Sequence, residues 1–383
     1  ESGIFVLNNE KYSKLFKLSD INFAGVTDLE QKTIIINFSK VLNSINCRFS
    51  YTVADEYVDE SAFSKRILYK KRGDDMDMLC DAFNEVINEK VTDAKQGLYQ
   101  TIYLTLTVEA KNIREAKNAL ASVEATLSST LIQIGINGMA GSSLEPVSLN
   151  ERMQIWYNFT HTGLHTNYKF DWQSCMKQNK DWIDIVSPES LVFYNDYFIL
   201  NGNRYGRVMY ISRHAQSLES DTLSELAKIN STNYVTVNSE LLDLSGYKQE
   251  IIRKHSSVGF QIEKEKKRNR DNNDFLADAS DKLLTEKDSL IKLSRQVETG
   301  DDHFFNTTVL IAFLAKSYEE MVDITDQIEA IGGVKSFDVK KCFDKQREGL
   351  NSTFMFGVQE FKRMTNGFPS FFSSCTVFSS AGT

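Results

Sequence analysis

The sequence predicts an α+β fold: two ferredoxin-like β-α-β modules, antiparallel sheets backed by helices, the second with an inserted charged helical arm. Three observations predict it. A strand–helix unit occurs twice, as Ala110-Lys111-Asn112-Ile113-Arg114-Glu115 and Ala315-Lys316-Ser317-Tyr318-Glu319-Glu320, each after an apolar run and at the start of an amphipathic helix. Each copy sets a cap residue, Asn112 or Ser317, three positions before a Glu. At that spacing the cap side chain accepts from a free backbone N–H while the Glu reaches back. Thr27 with Glu30 and Thr222 with Glu225 repeat the signature, and the cap-to-cap distances agree: 85 residues from 27 to 112, and 95 from 222 to 317.

Taken in order, residues 21–26 read as a short strand and Thr27 opens a helix through about Ile45. Residues 47–58 alternate as a strand, and 74–94 form a helix with Met78, Phe83, Val86 and Ile87 near one face. Ile102, Leu104, Leu106 and Val108 alternate with Tyr103, Thr105 and Thr107, the pattern of a half-buried strand. The helix after Asn112 presents Ile113, Ala116, Leu120, Val123, Leu127, Leu131 and Ile134, and Gly135 is its natural stop. Residues 149–190 hold Trp156, Trp172 and Trp182 and read as a connector, with some helix near 149–159.

The second half restarts with a hairpin over 197–212, because Asn201-Gly202-Asn203 tolerates positive φ between two apolar runs. A helix near 222–229, a strand at 234–237 and a helix soon after Leu244 follow. The extra length falls in 263–300, where Lys264-Glu265-Lys266-Lys267-Arg268-Asn269-Arg270 precedes Leu276, Leu283, Leu290 and Val297 at seven-residue intervals. That stripe marks a helical arm packed along one seam. The division is a first module over 1–148, a connector over 149–190 and a second module over 191–383, its arm at about 260–302.

At 383 residues the chain is long enough for two or three domains, and 41% hydrophobic with 25% charged content is ordinary for a globular protein. A net charge of −8 argues against coating nucleic acid through the overall field. The longest apolar runs, such as 308–315, fall far short of the ~20 residues of a membrane helix. The five cysteines are scattered without a CxxC pair, which points to reduced thiols in a cytoplasmic setting. The chain starts at Glu1 with no signal-like segment after it, and both ends read as cuts in something longer.

No residue is nominated as catalytic, cofactor-binding or metal-ligating. The stretch Gly135-Ile136-Asn137-Gly138-Met139-Ala140-Gly141-Ser142-Ser143 is glycine-rich, but Ala140 and Gly141 stand where a phosphate loop needs Gly and Lys, so it reads as a plain loop. His161 and His165 are four apart with Gly163 between them, and two ligands do not make a zinc site. His214, His255 and His303 lack partners at ligand spacing, and Asp301-Asp302 closes the arm. The basic residues Lys264, Lys266, Lys267, Arg268 and Arg270 read either as a solvated helix face or as a contact for a protein, anionic lipid or DNA.

Gln346-Arg347-Glu348-Gly349-Leu350-Asn351-Ser352, then Gly357, Arg363-Met364-Thr365 and Phe368-Pro369, resembles the stretch that leads into the motor domain of the large type IV secretion and conjugal-transfer ATPases. These are the VirB-four, TrbE and CagE class, especially the versions in Gram-positive conjugative elements. Ile185-Val186-Ser187-Pro188 before Phe193, Tyr205-Gly206-Arg207-Val208, and Glu151-Arg152-Met153 after Pro146 also fit that class, and the likeness runs from about Ile21 to Phe372. Phe354-Met355-Phe356 departs from it, standing where relatives show Leu-Pro-Leu.

The resemblance implies the amino-terminal half of such an ATPase. That half is a non-enzymatic docking and oligomerisation module on inner-membrane secretion subunits, cytoplasmic and peripheral to the inner face of the membrane. ATP and Mg are implied for a motor domain beyond Thr383, and no cofactor for the chain itself. The alternatives are a nucleic-acid-binding module acting through the basic arm and a stand-alone enzyme whose residues assemble from distant positions.

Overall fold

Strand pairing joins the two halves of the chain. The computed structural model describes residues 3–8, 10–19, 26–57, 79, 83–84, 98–135, 141–164, 168–213, 222–227, 229, 231–271, 279–299, 303–361 and 365–367. In the first unit β1 (Ile4–Asn8) and β2 (Lys11–Leu18) form a hairpin, followed by α1 (Asp28–Asn43), β3 (Arg48–Tyr57), β4 (Leu98–Glu109), α2 (Ile113–Ile132) and β5 (Leu144–Pro146). Next come α3 (Leu149–Thr160), α4 (Trp172–Lys177), α5 (Trp182–Val186) and β6 (Leu191–Phe193). The second unit repeats the plan with the hairpin β7 (Phe198–Leu200) and β8 (Arg204–Arg213), then α6 (Thr222–Ala227) and β9 (Thr232–Leu241). After α7 (Leu244–Asp271) and α8 (Asp281–Thr299) it continues with β10 (Phe305–Ala315), α9 (Tyr318–Val334), β11 (Asp338–Lys341), α10 (Gln346–Thr353) and β12 (Thr365–Gly367).

The strands lie in the order β5-β2-β4-β3 in one unit and β11-β8-β10-β9 in the other, every neighbouring pair antiparallel. This is split β-α-β connectivity used twice, so the α+β class is as the sequence predicts. Two separate sheets are not what forms. β3 pairs β9 antiparallel, from Phe49 opposite Ser239 to Asp55 opposite Asn233, which makes one sheet of twelve strands among the described residues. Thr52 and Thr236, each the fifth residue of its ten-residue strand, face each other with hydroxyl oxygens 3.0 Å apart.

The caps form with a small shift. Glu115 and Glu320 donate their backbone N–H to Asn112 Oδ1 and Ser317 Oγ at 2.9 and 3.1 Å. Their carboxylates accept from the backbone N–H of Lys111 and Lys316, one residue before the cap in both copies. Glu30 accepts from the Thr27 backbone N–H at 2.9 Å, whereas Thr222 is the first residue of α6 rather than its cap. The last strand described before Thr27 is β2; of the expected 21–26 strand, 21–25 lie outside the described residues. The 74–94 helix also lies outside them, apart from helical Leu79, Phe83 and Asn84. α2 stops at Ile132, three residues short of Gly135.

One face of the sheet buries Tyr51, Val53, Leu104, Leu106, Val235 and Ile311 against Phe38 of α1, Leu120 and Leu127 of α2, Leu226 of α6, and Ile324 and Ile328 of α9. The other buries Leu15, Tyr103, Tyr234, Leu310 and Ala312 against Ile155 and Phe159 of α3, Leu350 of α10, and Phe354, Met355 and Phe361 beyond it. The expected half-buried strand β4 is therefore buried on both faces, with Thr105 at 0% and Thr107 at 4% exposure. The 149–190 segment supplies cover for the second face as well as connection. Its own small core joins Met153, Tyr157, Phe170, Cys175 and Val186.

The arm is the antiparallel pair α7 and α8, starting at Leu244 rather than near 260. Val258, Ile262, Ala279 and Leu290 fill its core with Leu283 and Leu284 beside them, so two of the four seven-spaced residues fall where the spacing puts them. The side chains of Leu276 and Val297 lie outside the described residues. At the base, Tyr247 and Ile251 pack on Phe304.

Replacing Thr52 or Thr236 by Val should each lower stability by about 1 kcal/mol in urea unfolding. The double variant should lose less than the sum, because Thr52 donates to Thr236 Oγ1, whose own proton goes to Thr353 O. Strict additivity would remove the pairing from the account of the seam.

Candidate functional site

Residues 346–361 cross the second face of the sheet as a strap from the second unit to the first. The strap begins with Gln346, buried, whose Oε1 accepts from Val208 N–H at 2.8 Å while its Nε2 donates to the carbonyls of Val208 and Cys342 at 3.1 Å. α10 then ends at Thr353, and its last carbonyls are orphaned by helix geometry. The sheet captures them: Asn238 Nδ2 donates to Ser352 O at 2.7 Å and Thr236 Oγ1 to Thr353 O at 2.8 Å. Asn238 is held in place by Ser50 Oγ, which donates to its Oδ1 at 2.6 Å. Further along, Thr107 Oγ1 donates to Gly357 O at 3.2 Å and Ser13 Oγ donates to Phe356 O. Gly357 has φ +85°, and a Cβ there would lie 2.3 Å from Thr107 Oγ1.

Arg152 completes the clasp. Its side chain is buried on α3, with Nη1 donating to Gly3 O and Ser13 O at 3.1 and 3.0 Å. Nη2 donates to Ser13 Oγ at 2.8 Å, Met355 O at 2.9 Å and Phe356 O at 3.3 Å. The guanidinium carbon lies 3.8 Å from the Phe5 ring centroid. Among the described residues no carboxylate pairs with it, so carbonyl dipoles carry the compensation. Burial pulls its ionisation down to about 9, which leaves it charged at neutral pH. Phe354, in the departure from the resembled pattern, fills an aromatic nest with Trp156, Phe159 and Tyr234 at centroid distances of 4.7, 4.3 and 5.2 Å.

Several other resembling residues are also internal ties, while Arg363, Met364, Phe368 and Pro369 lie outside the described residues. Arg207 is buried, donating to Asp196 O and Oδ2 at 2.9 Å and to Thr325 Oγ1 at 2.7 Å, so it fixes β8 to α9. A Cβ on Gly206 would lie 2.1 Å from the Phe198 ring, and one on Gly349 would lie 3.0 Å from Val208. Val186 O accepts from Thr160 Oγ1 at 2.8 Å.

The expected contact residues sit at the end of α7. Lys264, Lys267, Arg268 and Arg270 are exposed and Lys266 is half-buried, spread around the helix. Arg268 and Arg270 in its last turn also favour the negative end of the helix dipole. Glu265, within the same run, accepts from Ser280 N–H and Oγ at 3.1 Å and ties the start of α8 to α7.

The glycine-rich stretch is described at Gly135 and from 141, and from 141 it is structural. A Cβ on Gly141 would lie 2.4 Å from Ile132 O, and Ser142 Oγ and Ser143 N–H donate to Ser19 at 2.7 Å. His161 caps α3, its Nδ1 3.1 Å from Tyr157 O and its ring stacked on Tyr157, while His165 lies outside the described residues. Among the described residues no three His, Cys, Asp or Glu side chains gather as a metal site.

A cleft of about 530 Å³ opens at the seam, lined by residues including Cys47, Arg48, Thr107, Val123 and Glu240. Arg48 pairs with Glu240 across it, joining β3 to β9. Burial pushes the Cys47 thiol up to about 12, which disfavours the thiolate at neutral pH.

Arg152→Met removes a donor from four carbonyl groups, of which Phe356 O keeps Ser13 Oγ, and should cost about 2–4 kcal/mol in urea unfolding. Arg152→Lys should cost most of that, because one ammonium cannot span the same fork. Maleimide at pH 7.5 should spare Cys47 in the folded protein and label it after unfolding, read by mass spectrometry. No protein-family model and no curated protein matches the chain.

Proposed function

We propose that this chain is the docking and self-association half of an ATPase of the type IV secretion and conjugal-transfer class, a scaffold that positions a motor. The observation that carries the reading is where the resembling residues sit. Arg152, Gly206, Arg207, Gln346, Gly349 and Gly357 tie strands, helices and strap to one another, so the likeness falls on the framework. Each β-α-β-β-α-β unit is read as ferredoxin-like. The strap returns the chain to β10, where Gly367 pairs with Phe305 at the base of the arm, and in this reading the motor with its ATP and Mg follows from there.

Inner-membrane secretion subunits are the partners in this reading, which places the protein at the cytoplasmic face of the membrane. Among the described residues no helix is long and apolar enough to cross a bilayer. Purified chain should release no phosphate from ATP above background, and it should co-purify with the inner-membrane subunits of its own transfer system. Sustained turnover abolished by a point substitution within these 383 residues, or loss of both co-purification and self-association, overturns the reading.

A further inference from the structure

The outward face of α7 carries two large apolar side chains that nothing in the described protein covers. Ile252 is 61% and Phe260 74% exposed, while Ile251, Val258 and Ile262 on the opposite face make the contacts at the base and with α8. At 100° per residue, Ile252, Ser256, Phe260, Lys267 and Arg270 fall within one quadrant of the helix, and Arg253 borders it. Glu263 is the acid on the same quadrant, and Asp271 borders it at the angle of Arg253.

The charge distribution adds a direction. α7 contains eight Lys and Arg (248, 253, 254, 264, 266, 267, 268, 270) against four acids (250, 263, 265, 271), a net of +4. The whole chain carries −8, so the remainder carries −12. With residues 272–299 included, at −2, the arm over 244–299 keeps +2 against −10 for the rest, so an anionic surface attracts the arm and repels the body, presenting the molecule arm first. The helix is 28 residues long, roughly 42 Å, so its far half stands well clear of the base contacts at Tyr247 and Ile251. Exposed Phe and Ile flanked by cations match the boundary between lipid headgroups and acyl chains. Duplex phosphates use the cations and leave the two apolar side chains unsatisfied.

We infer that the outward face of α7 binds the surface of an anionic phospholipid membrane, with Phe260 and Ile252 entering the interface and Lys267 and Arg270 facing the headgroups. This deepens the docking reading by naming a lipid contact, and it is tested without any secretion subunit.

The test is co-sedimentation of the full 383-residue chain with vesicles of phosphatidylcholine alone and of phosphatidylcholine with phosphatidylglycerol at 3:1. Binding is expected to the anionic vesicles only. It should fall about tenfold in the double variant Ile252→Ser, Phe260→Ser. Lys267→Gln with Arg270→Gln should weaken it by a similar factor at low salt, and the difference from the unsubstituted chain should shrink as salt is raised. Both pairs of positions are exposed, and an unchanged Tm shows that the variants fold. Absence of binding to anionic vesicles overturns the inference, as does binding indifferent to the Ile252 and Phe260 changes. Retention of duplex DNA or concentration-dependent dimerisation through this face, without vesicle binding, overturns it in favour of those partners. Failure here leaves the secretion-subunit co-purification result standing on its own.

Discussion

The β3–β9 ladder is the constraint from which the rest of the architecture follows. Pairing these strands removes two sheet edges that would otherwise lie open to association with other chains. It also creates a sheet wide enough to need cover on both faces. The first face is apolar, and amphipathic helices cover it. The second face is polar along the seam, where Ser50, Thr52, Thr107, Thr236 and Asn238 are all buried. An apolar helix laid there would strand those groups at about 1–3 kcal/mol each. What the seam requires is a row of free acceptors, and the end of α10 with the extended backbone after it supplies them.

The two units share one plan and differ in how it is used. Ser13 faces Thr107, five residues before the Asn112 cap, and Val208 faces Ala312, five residues before the Ser317 cap. They are equivalent positions on β2 and β8. Each is gripped by a buried polar side chain near the start of the helix after the fourth strand: Arg152 on Ser13, Gln346 on Val208. Gln346 spends its amide locally, within its own unit. Arg152 has reach to spare, and its second nitrogen takes hold of Met355 and Phe356 from the other unit. One longer side chain turns a local fastening into a connection between halves.

The duplication was legible because capping has a sequence signature and helical periodicity survives in α2 and α9. The first hairpin was not, since Lys11, Lys14 and Lys17 break up its apolar pattern; Lys14 is there to pair with Glu124 at 2.6 Å. Alternation in β4 identified a strand but not the fate of its polar face. Thr105 and Thr107 read as wet because their cover comes from residues some 250 positions away, as in the bond from Thr107 to Gly357. The clasp itself left little trace, for its acceptors are backbone carbonyls, which every residue has. The arm was visible as charge and heptad spacing. Which of its side chains face outward depended on where α8 packs.

The strap also orders events in time. Ser13 and Phe356 are 343 residues apart, yet the first unit is not closed on its second face until they meet. A chain emerging from the ribosome at its amino end therefore presents the polar seam of its first half to water while most of the second half is still being made. Ser50, Thr52 and Thr107 tolerate that wait because water satisfies them, where an apolar face of the same size would have invited aggregation. The polarity that makes the finished seam demand a strap is also what keeps the unfinished protein safe until the strap arrives.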